Sequence, residues 1–207
     1  MRYSLRERNR LRYGAGVINL GLRELKKKQT RKAISDMATK LFMERGYHEV
    51  TTAEIARRAE VSVPTLFNYF PTKESLVFDE DSEMEDELVN TVLHRRKGQT
   101  ILDALLQAGF KHIDSLNIGE RKRLYRSFNT LVDATPELSL YAKQMWLRHE
   151  KALAKTIQKQ VKIKMSSFEA ETIARFVLDS YHRALGEANP KATLQALFAI
   201  LQRGWDQ

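Results

Sequence analysis

The side chains best suited to bind another molecule lie in one short segment, Ser62 to Phe70. Leu66 and Phe70 stand four residues apart, which predicts the buried face of a short helix. The other faces then carry aromatic, amide, hydroxyl and aliphatic groups, namely Val63, Thr65, Phe67, Asn68 and Tyr69. An amide can pair with adenine through two hydrogen bonds, and the DNA major groove admits one helix. The segment therefore indicates a recognition helix that reads DNA.

A second short helix is predicted immediately before this one. Thr51 followed by Glu54 is the pattern of a capping box, in which each side chain binds a free backbone N–H of the first turn. Residues 60–61 make a tight turn. Ser62 is a second N-cap, and Pro64 lies in the next first turn, where its missing N–H costs nothing. Two short helices in this order predict a helix-turn-helix.

At this point the sequence resembles the TetR family of bacterial transcriptional repressors. The resemblance covers about Thr30 to Leu76, some 45 positions in register. It is carried by Ala33-Ile34, Ala38, Leu41-Phe42, Gly46-Tyr47, Thr51-Thr52, Ile55-Ala56, Val61-Ser62, Thr65-Leu66, Tyr69-Phe70 and Lys73-Glu74-Ser75-Leu76. It implies a helix-turn-helix head followed by an all-helical domain that binds a small effector and forms a homodimer. The chain is then a repressor that leaves a palindromic DNA operator when the effector binds.

The resemblance also implies which residues contact DNA. These are Thr52, Thr65, Phe67, Asn68, Tyr69 and Lys73, and the start of the same helix adds Ser62, Val63 and Pro64. Thr52, Tyr69 and Lys73 are expected to bind phosphates. Thr65, Phe67 and Asn68 are expected to face base edges, and only base contacts select a sequence. Asn68 and Pro64 depart from the usual family pattern, so the base preference cannot be taken from a relative.

Basic charge is concentrated at the start of the chain. Residues 1–32 hold eleven Lys or Arg and two Asp or Glu, so they carry +9, the formal charge of the whole chain. The rest of the chain balances to zero. A cationic arm indicates a polyanionic partner, either DNA or an anionic membrane surface. For the first 20 residues the alternative is a solvated, disordered tail.

Helical periodicity continues to the end of the chain, with no strand pattern. The first helix is predicted to start between Glu24 and Thr30 and to end at Arg45, with Gly46 as its terminator. Further helices are expected at about 73–94, 100–116, 120–133, 136–164, 166–186 and 190–204. The prediction is an all-α chain with a basic, flexible N-terminal extension over 1–22, a DNA-binding head over 23–72 and an effector-binding and dimerisation domain over 73–207.

An acidic run, residues 79–87, holds seven carboxylates and no base. Its functional interpretation is that it holds the basic arm or excludes misdocked DNA. A solvated helix face is the better-supported alternative.

Two further sites are expected in the helical body. An aromatic and methionine cluster suggests an effector pocket formed by Phe110, His112, Phe128, Met145, Trp146 and His149, although such a cluster can equally be plain core. The family resemblance implies that the last two helices form a four-helix interface with a second copy, through Ala170, Ile173, Ala174, Val177, Tyr181, Leu194, Phe198 and Leu201.

Other classes of protein receive little support from the sequence. There is no phosphate-binding glycine loop, nucleophile elbow or Cys/His pair, so we expect no enzyme, no catalytic residue and no cofactor. The five histidines form no close pair at ligand spacing, so no metal is expected. The absence of cysteine suits a reducing cytoplasm. No apolar run is long enough to span a bilayer. We expect a cytoplasmic protein without a membrane partner.

Two other functions stay open. An architectural protein that binds DNA by charge alone predicts little preference among sequences. A helical module that binds membranes or proteins through the basic arm predicts binding to anionic lipid that persists without residues 51–73.

Overall fold

The computed structural model describes residues 21–116 and 120–203, with side chains described for 21–116 and 123–203. Over these residues the chain is all-helical. In order, the helices are α1 (Leu22–Arg45), α2 (Thr52–Arg58), α3 (Val63–Tyr69), α4 (Asp81–Leu93), α5 (Ile101–Leu116), α6 (Glu120–Ala134), α7 (Pro136–Gln160), α8 (Ser167–Gly186) and α9 (Pro190–Arg203). A single 3-10 turn, Glu74–Leu76, lies between α3 and α4. The predicted all-α class is confirmed.

The head consists of α1, α2 and α3 around a shared apolar core. Ile34 and Ala38 of α1, Ile55 of α2, and Leu66 and Phe70 around α3 are all completely buried. Gly46 ends α1 with φ of +90°, a left-handed backbone that suits a residue without Cβ. The buried face predicted from Leu66 and Phe70 and the glycine terminator are confirmed.

The body is built on α7, which packs against α4, α6 and α8. Leu153 and Ile157 of α7 share a core with Ala174 and Val177 of α8 and with Phe198 of α9. Capping fixes the start of α8, since Ser166 Oγ accepts from the Glu169 N–H while the Glu169 carboxylate accepts from the backbone N–H of Ser166. This reciprocal pair is a complete capping box.

The prediction of one continuous helix over 73–94 is wrong. After the 3-10 turn the chain is non-helical until α4 begins at Asp81. The physical reason is burial: Leu76, Val77 and Phe78 are consecutive and all buried. A single helix would turn one of three consecutive side chains away from the core. We call the segment between the recognition helix and α4, residues 70–80, the connector.

Two other helix ends differ from the prediction. The helix α1 begins at Leu22, earlier than expected, without a side-chain cap on its first turn. The helix α7 ends at Gln160 instead of about 164, where Val161 turns into extended backbone with ψ of 146°. Of the predicted N-terminal extension, residues 1–20 lie outside the described residues. Within the described part of the chain, no helix is long and apolar enough to cross a membrane.

Candidate nucleic-acid interface and ligand cavity

The start of α3 is fixed by its N-cap. Ser62 Oγ accepts a hydrogen bond of 3.1 Å from the backbone N–H of Thr65, as predicted. The same Ser62 oxygen lies 2.7 Å from Thr65 Oγ1. A hydroxyl has one donor and two acceptor sites, so this contact leaves the Thr65 hydroxyl with capacity for a second partner.

The outer face of α3 is open to solvent. Phe67 is 41% exposed and Val63 is 36% exposed. Pro64 and Asn68 are exposed on the same helix. This face presents aromatic, aliphatic and amide groups together, and it can enter a major groove without any rearrangement of the head core.

Lys73 lies in the connector, directly after α3, with much of its side chain packed against the head. Its ammonium donates to the backbone carbonyl of Tyr47 at 2.7 Å and lies 4.1 Å from the centre of the Tyr47 ring. Burial lowers the pKa of Lys73, an effect that the carboxylate of Glu74 opposes. Lys73 therefore fixes the loop after α1, and its remaining N–H donors are those available to a phosphate.

The predicted capping box at α2 is only half formed. Thr51 Oγ1 accepts from the Glu54 N–H at 3.1 Å. The Glu54 carboxylate instead pairs with Arg45 at 2.6 Å and with Arg58 at 3.4 Å. These two cations outcompete a backbone N–H because a charge-assisted bond is the stronger one. Thr52, a predicted phosphate contact, is half-buried in the first turn of α2.

Arg31 is a functional candidate that the sequence analysis missed. Its Nη1 donates to the carbonyl of Tyr69 at 2.6 Å, and its guanidinium lies 4.3 Å from the centre of the Phe70 ring. Its Nε lies 2.7 Å from Asp79 Oδ1. Arg31 thus joins α1 to the end of the recognition helix and to the connector. Arg31 lies three residues before Ile34, which places both residues on the buried face of α1. This spacing was the sequence signal that could have identified Arg31.

A solvent-open cleft of about 1470 Å³, called the cavity below, lies between the head and the body and is bounded by α1, the connector, α4, α5, α6, α7 and α8. Four of the six residues predicted for the effector pocket line it, namely His112, Phe128, Met145 and Trp146. Phe110 and His149 are not among its lining residues. Phe110 packs into the body core, close to Lys191.

His149 is completely buried against the start of α4. Its Nε2 lies 2.7 Å from Asp81 Oδ1, and Nη2 of the neighbouring Arg148 donates to Asp81 Oδ2 at 2.5 Å. The His149 ring also meets Trp146 edge to face, with 5.6 Å between ring centres. His149 therefore joins α7, next to a cavity-lining tryptophan, to the first residue of α4.

The acidic run is not simply a solvated helix face. Asp79 pairs with Arg31 and holds the connector to the head, and Asp81 pairs with α7 and holds the start of α4 to the body. Glu83 lies 3.8 Å from Lys28 of α1, where both side chains are exposed. The predicted contact with residues 1–20 lies outside the described residues.

Five of the eight residues predicted for the dimer interface are covered within the single chain. Ala170, Ala174, Val177, Leu194 and Phe198 are at most 1% exposed in the single chain. These side chains are covered by their own fold, and an interface through them stays a prediction. The apolar face of α8 packs on α7 and α9.

The three other predicted interface residues are only partly covered. Ile173, Tyr181 and Leu201 pack at the edge of the body core. The Tyr181 hydroxyl donates to the Leu105 carbonyl, which ties α8 to α5. Sequence periodicity found the buried face of α8 but could not identify what covers it.

Comparison with known proteins adds to this geometry. Residues 34–79 match the sequence model for bacterial regulatory proteins of the tetR family. The chain is 27% identical over 183 residues to a Mycobacterium tuberculosis protein named as the mycofactocin biosynthesis transcriptional regulator MftR, covering 84% of this chain and 90% of that one. It is 29% identical over 122 residues to the HTH-type transcriptional regulator TcmR of Streptomyces glaucescens, covering 57% of this chain and 54% of the relative.

The fold is also found among solved structures. Thermus thermophilus FadR, a TetR family transcriptional repressor solved in complex with lauroyl-CoA, aligns with a TM-score of 0.56 and 24% identity. The alignment covers 86% of this chain and 95% of that one. The likeness extends over the head and the helical body together, so the whole described architecture has a counterpart.

Proposed function

Because this chain belongs to the TetR family of bacterial transcriptional regulators, we propose that it is a cytoplasmic homodimeric repressor released from a palindromic operator by a small molecule. The proposal rests on the positions of the recognition helix and the cavity. The exposed face of α3 is suited to DNA, and the cavity is bounded by the connector and by α4, the elements that follow α3 directly. A ligand in the cavity therefore contacts the elements that set the orientation of the head.

In the bound state, α3 lies in the major groove. Thr65, Phe67 and Asn68 face base edges. Thr52, Tyr69 and Lys73 bind phosphates and set the register. A second head with the same arrangement binds a second half-site. The two half-sites are separated by a helical turn of DNA of about 34 Å, or a multiple of it.

A second copy is proposed to pack on the outward faces of α8 and α9. The support is exposed apolar surface: Phe168 is 78% exposed at the start of α8, and Ile200 is 42% exposed on α9. Sedimentation of the full chain tests this, with Phe168→Glu expected to shift a dimer toward monomer. A wild-type monomer at micromolar concentration would contradict the dimer.

The effector is proposed to bind among the aromatic and methionine side chains of the cavity. Trp146 and Met145 belong to α7, and α7 also holds Asp81 through His149. The lauroyl-CoA complex of the Thermus thermophilus relative supports ligand binding in a protein of this fold. Displacement of α4 by the ligand would change the spacing of the two heads and weaken operator binding.

Selection of bound sequences from a random DNA pool tests the DNA-binding part of the proposal. We expect a palindromic consensus, and we expect affinity for it to exceed affinity for scrambled DNA by at least a thousandfold. Equal affinity for all sequences would favour the architectural alternative. Binding to anionic vesicles that persists without residues 51–73 would favour the membrane alternative.

A further inference from the structure

Two sets of polar contacts, only two residues apart, hold the chain where it passes from the connector into α4. Asp79 Oδ1 lies 2.7 Å from Arg31 Nε of the head. Asp81, the first residue of α4, contacts the body: its Oδ1 lies 2.7 Å from His149 Nε2, and its Oδ2 accepts from Arg148 Nη2 at 2.5 Å. We call the contacts of Asp79 the head anchor and the contacts of Asp81 the body anchor.

The direction of the body anchor is fixed by the surroundings of His149. The ring is completely buried. Its Nε2 faces the Asp81 carboxylate and also lies 3.2 Å from the Asp81 backbone carbonyl, and two acceptors at one nitrogen place a hydrogen on it. Within the part of the chain whose side chains are described, the buried Nδ1 has no hydrogen-bond partner. The hydrogen bonds of this ring in that part of the chain therefore go to the first residue of α4.

The backbone between the two anchors is closely packed. Phe78, immediately before the head anchor, is buried. Its ring stacks on Tyr141 of α7 with 5.1 Å between ring centres, and it meets Phe128 of α6 edge to face at 6.0 Å. The backbone N–H of Asp81 donates to the Phe78 carbonyl at 3.3 Å, which closes a turn across Asp79. A close-packed segment transmits a displacement instead of absorbing it.

The head anchor extends to the DNA-reading helix. Arg31 Nη1 donates to the carbonyl of Tyr69, the last residue of α3, at 2.6 Å. The same guanidinium lies 4.3 Å from the centre of the Phe70 ring. Contacts therefore run from the body anchor, through the head anchor, to the end of the recognition helix.

We propose that the body anchor positions the recognition helix for DNA and that it acts through the head anchor. Asp81 and His149 are then positioning residues for operator binding, although both belong to the body. The inference rests on the proposed function, because operator affinity is its readout. It also connects the cavity to the anchors, since Trp146 lines the cavity and meets the His149 ring edge to face. A contact route between distant sites is demonstrated by a measured coupling.

A double-mutant cycle on operator affinity measures whether the two anchors act together. The full chain is compared as wild type, Asp81→Ala, Arg31→Met and the double variant. Each protein is titrated with the consensus DNA obtained by sequence selection, at a temperature where circular dichroism shows all four to be folded. Substitutions at independent sites change affinity by factors that multiply, whereas coupled sites deviate from the product.

Each single substitution is expected to lower operator affinity about tenfold, and the double variant should lose about as much as Arg31→Met alone. It then binds about tenfold more tightly than the product of the single losses predicts. Asp81→Asn keeps an oxygen acceptor for His149 and should recover most of the affinity. A double variant that matches the product would overturn the proposal. Unchanged or higher operator affinity in Asp81→Ala would also overturn it.

Gln158→Leu is the matched control on α7. Gln158 Nε2 donates to the Met165 carbonyl at 2.9 Å, so it holds the segment after α7 and not the start of α4. This variant should bind the operator as the wild type does. A loss equal to that of Asp81→Ala would assign the Asp81 effect to general destabilisation and overturn the proposal. Should Asp81→Ala fail to fold, Arg148→Met replaces it in the cycle, because the Arg148 side chain is 48% exposed.

The same titrations separate this inference from the proposed function. A wild type that prefers none of the selected sequences would contradict the proposed function itself. A wild type that prefers its operator, with losses that multiply in the cycle, would overturn only the coupling of the two anchors.

Discussion

Arg31 and Asp79 join the head to the connector: Arg31 Nε lies 2.7 Å from Asp79 Oδ1, while Nη1 of the same guanidinium donates to the last turn of the recognition helix at Tyr69. One side chain therefore contacts both the DNA-reading element and the segment that leads into α4. Two residues further along, Asp81 binds Arg148 and His149 of α7. The two aspartates place polar contacts on both sides of the start of α4, one to the head and one to the body.

Arg31→Met is expected to lower operator affinity more than it lowers stability. The substitution removes the ion pair, the bond to the Tyr69 carbonyl and the contact with Phe70, so the end of α3 loses its polar anchor. We expect the free energy of unfolding to fall by about 1–2 kcal/mol, a value reduced because the arginine is partly exposed. Urea unfolding and DNA titration of the same sample measure the two effects.

The control for Arg31 is Lys40→Met, which breaks an exposed pair with Glu44 on the same helix. It should change stability by less than about 0.5 kcal/mol. An Arg31→Met protein with unchanged operator affinity would show that the contact does not position α3.

Asn68 and Lys73 should differ in how they affect sequence preference. Asn68→Ala should relax the preference at one position of each half-site, by about 1–3 kcal/mol. Lys73→Ala should weaken binding to all sequences and reduce the slope of log K against log salt by about one. Asn90→Ala, an exposed amide on α4, is the control. If both variants lose affinity equally for all DNA sequences, Asn68 does not read a base.

Much of the head could be predicted from the sequence because its signals are local. The caps at Thr51 and Ser62 and the spacing of Leu66 and Phe70 involve residues only a few positions apart. The start of α4 could not be predicted in this way. It depends on the burial of Leu76 to Phe78 against other helices and on the partners of the two aspartates, which come from distant parts of the chain.

In the body, too, local features of the sites could be predicted and contacts between distant residues could not. Periodicity identified an apolar face on α8, but an apolar pattern does not state whether a helix of the same chain or a second copy covers it. His149 illustrates the same problem for the cavity. Its position in the helix is compatible with a side chain that lines the cavity. Its contact with Asp81, from a distant part of the chain, places it in the core instead.

Gly109 should not tolerate a side chain. A Cβ at this position would lie 2.6 Å from side-chain atoms of both Leu194 and Tyr181, so α5 approaches α8 and α9 closely here. Gly109→Ala is expected to destabilise the fold by about 1–3 kcal/mol through overpacking. Gly186→Ala is the control, because no atom lies within 4 Å of its Cβ position. Thermal or urea unfolding compares them, and equal stability of the two variants would contradict the packing.

His112 should make stability depend on pH. Burial lowers its pKa below 6.5, although the charges of Glu87 and Glu80 oppose the shift. Below pH 6.5 the unfolded chain therefore binds a proton that the folded chain does not, and the free energy of unfolding falls as the pH falls until the folded pKa is reached. Urea unfolding above and below pH 6.5 measures the slope. His112→Gln should flatten it, and an identical slope in the variant would assign the effect to other groups.

Release by an effector requires coupling between the cavity and the DNA-reading helix. The most direct test is the affinity of a cavity ligand, found by thermal-shift screening of apolar molecules, with and without saturating operator. Trp146 fluorescence reports binding, with Trp205→Phe removing the other indole. We expect operator to weaken ligand binding by about 5- to 150-fold, and the ligand to weaken operator binding by the same factor. Equal ligand affinities with and without operator would contradict release by an effector.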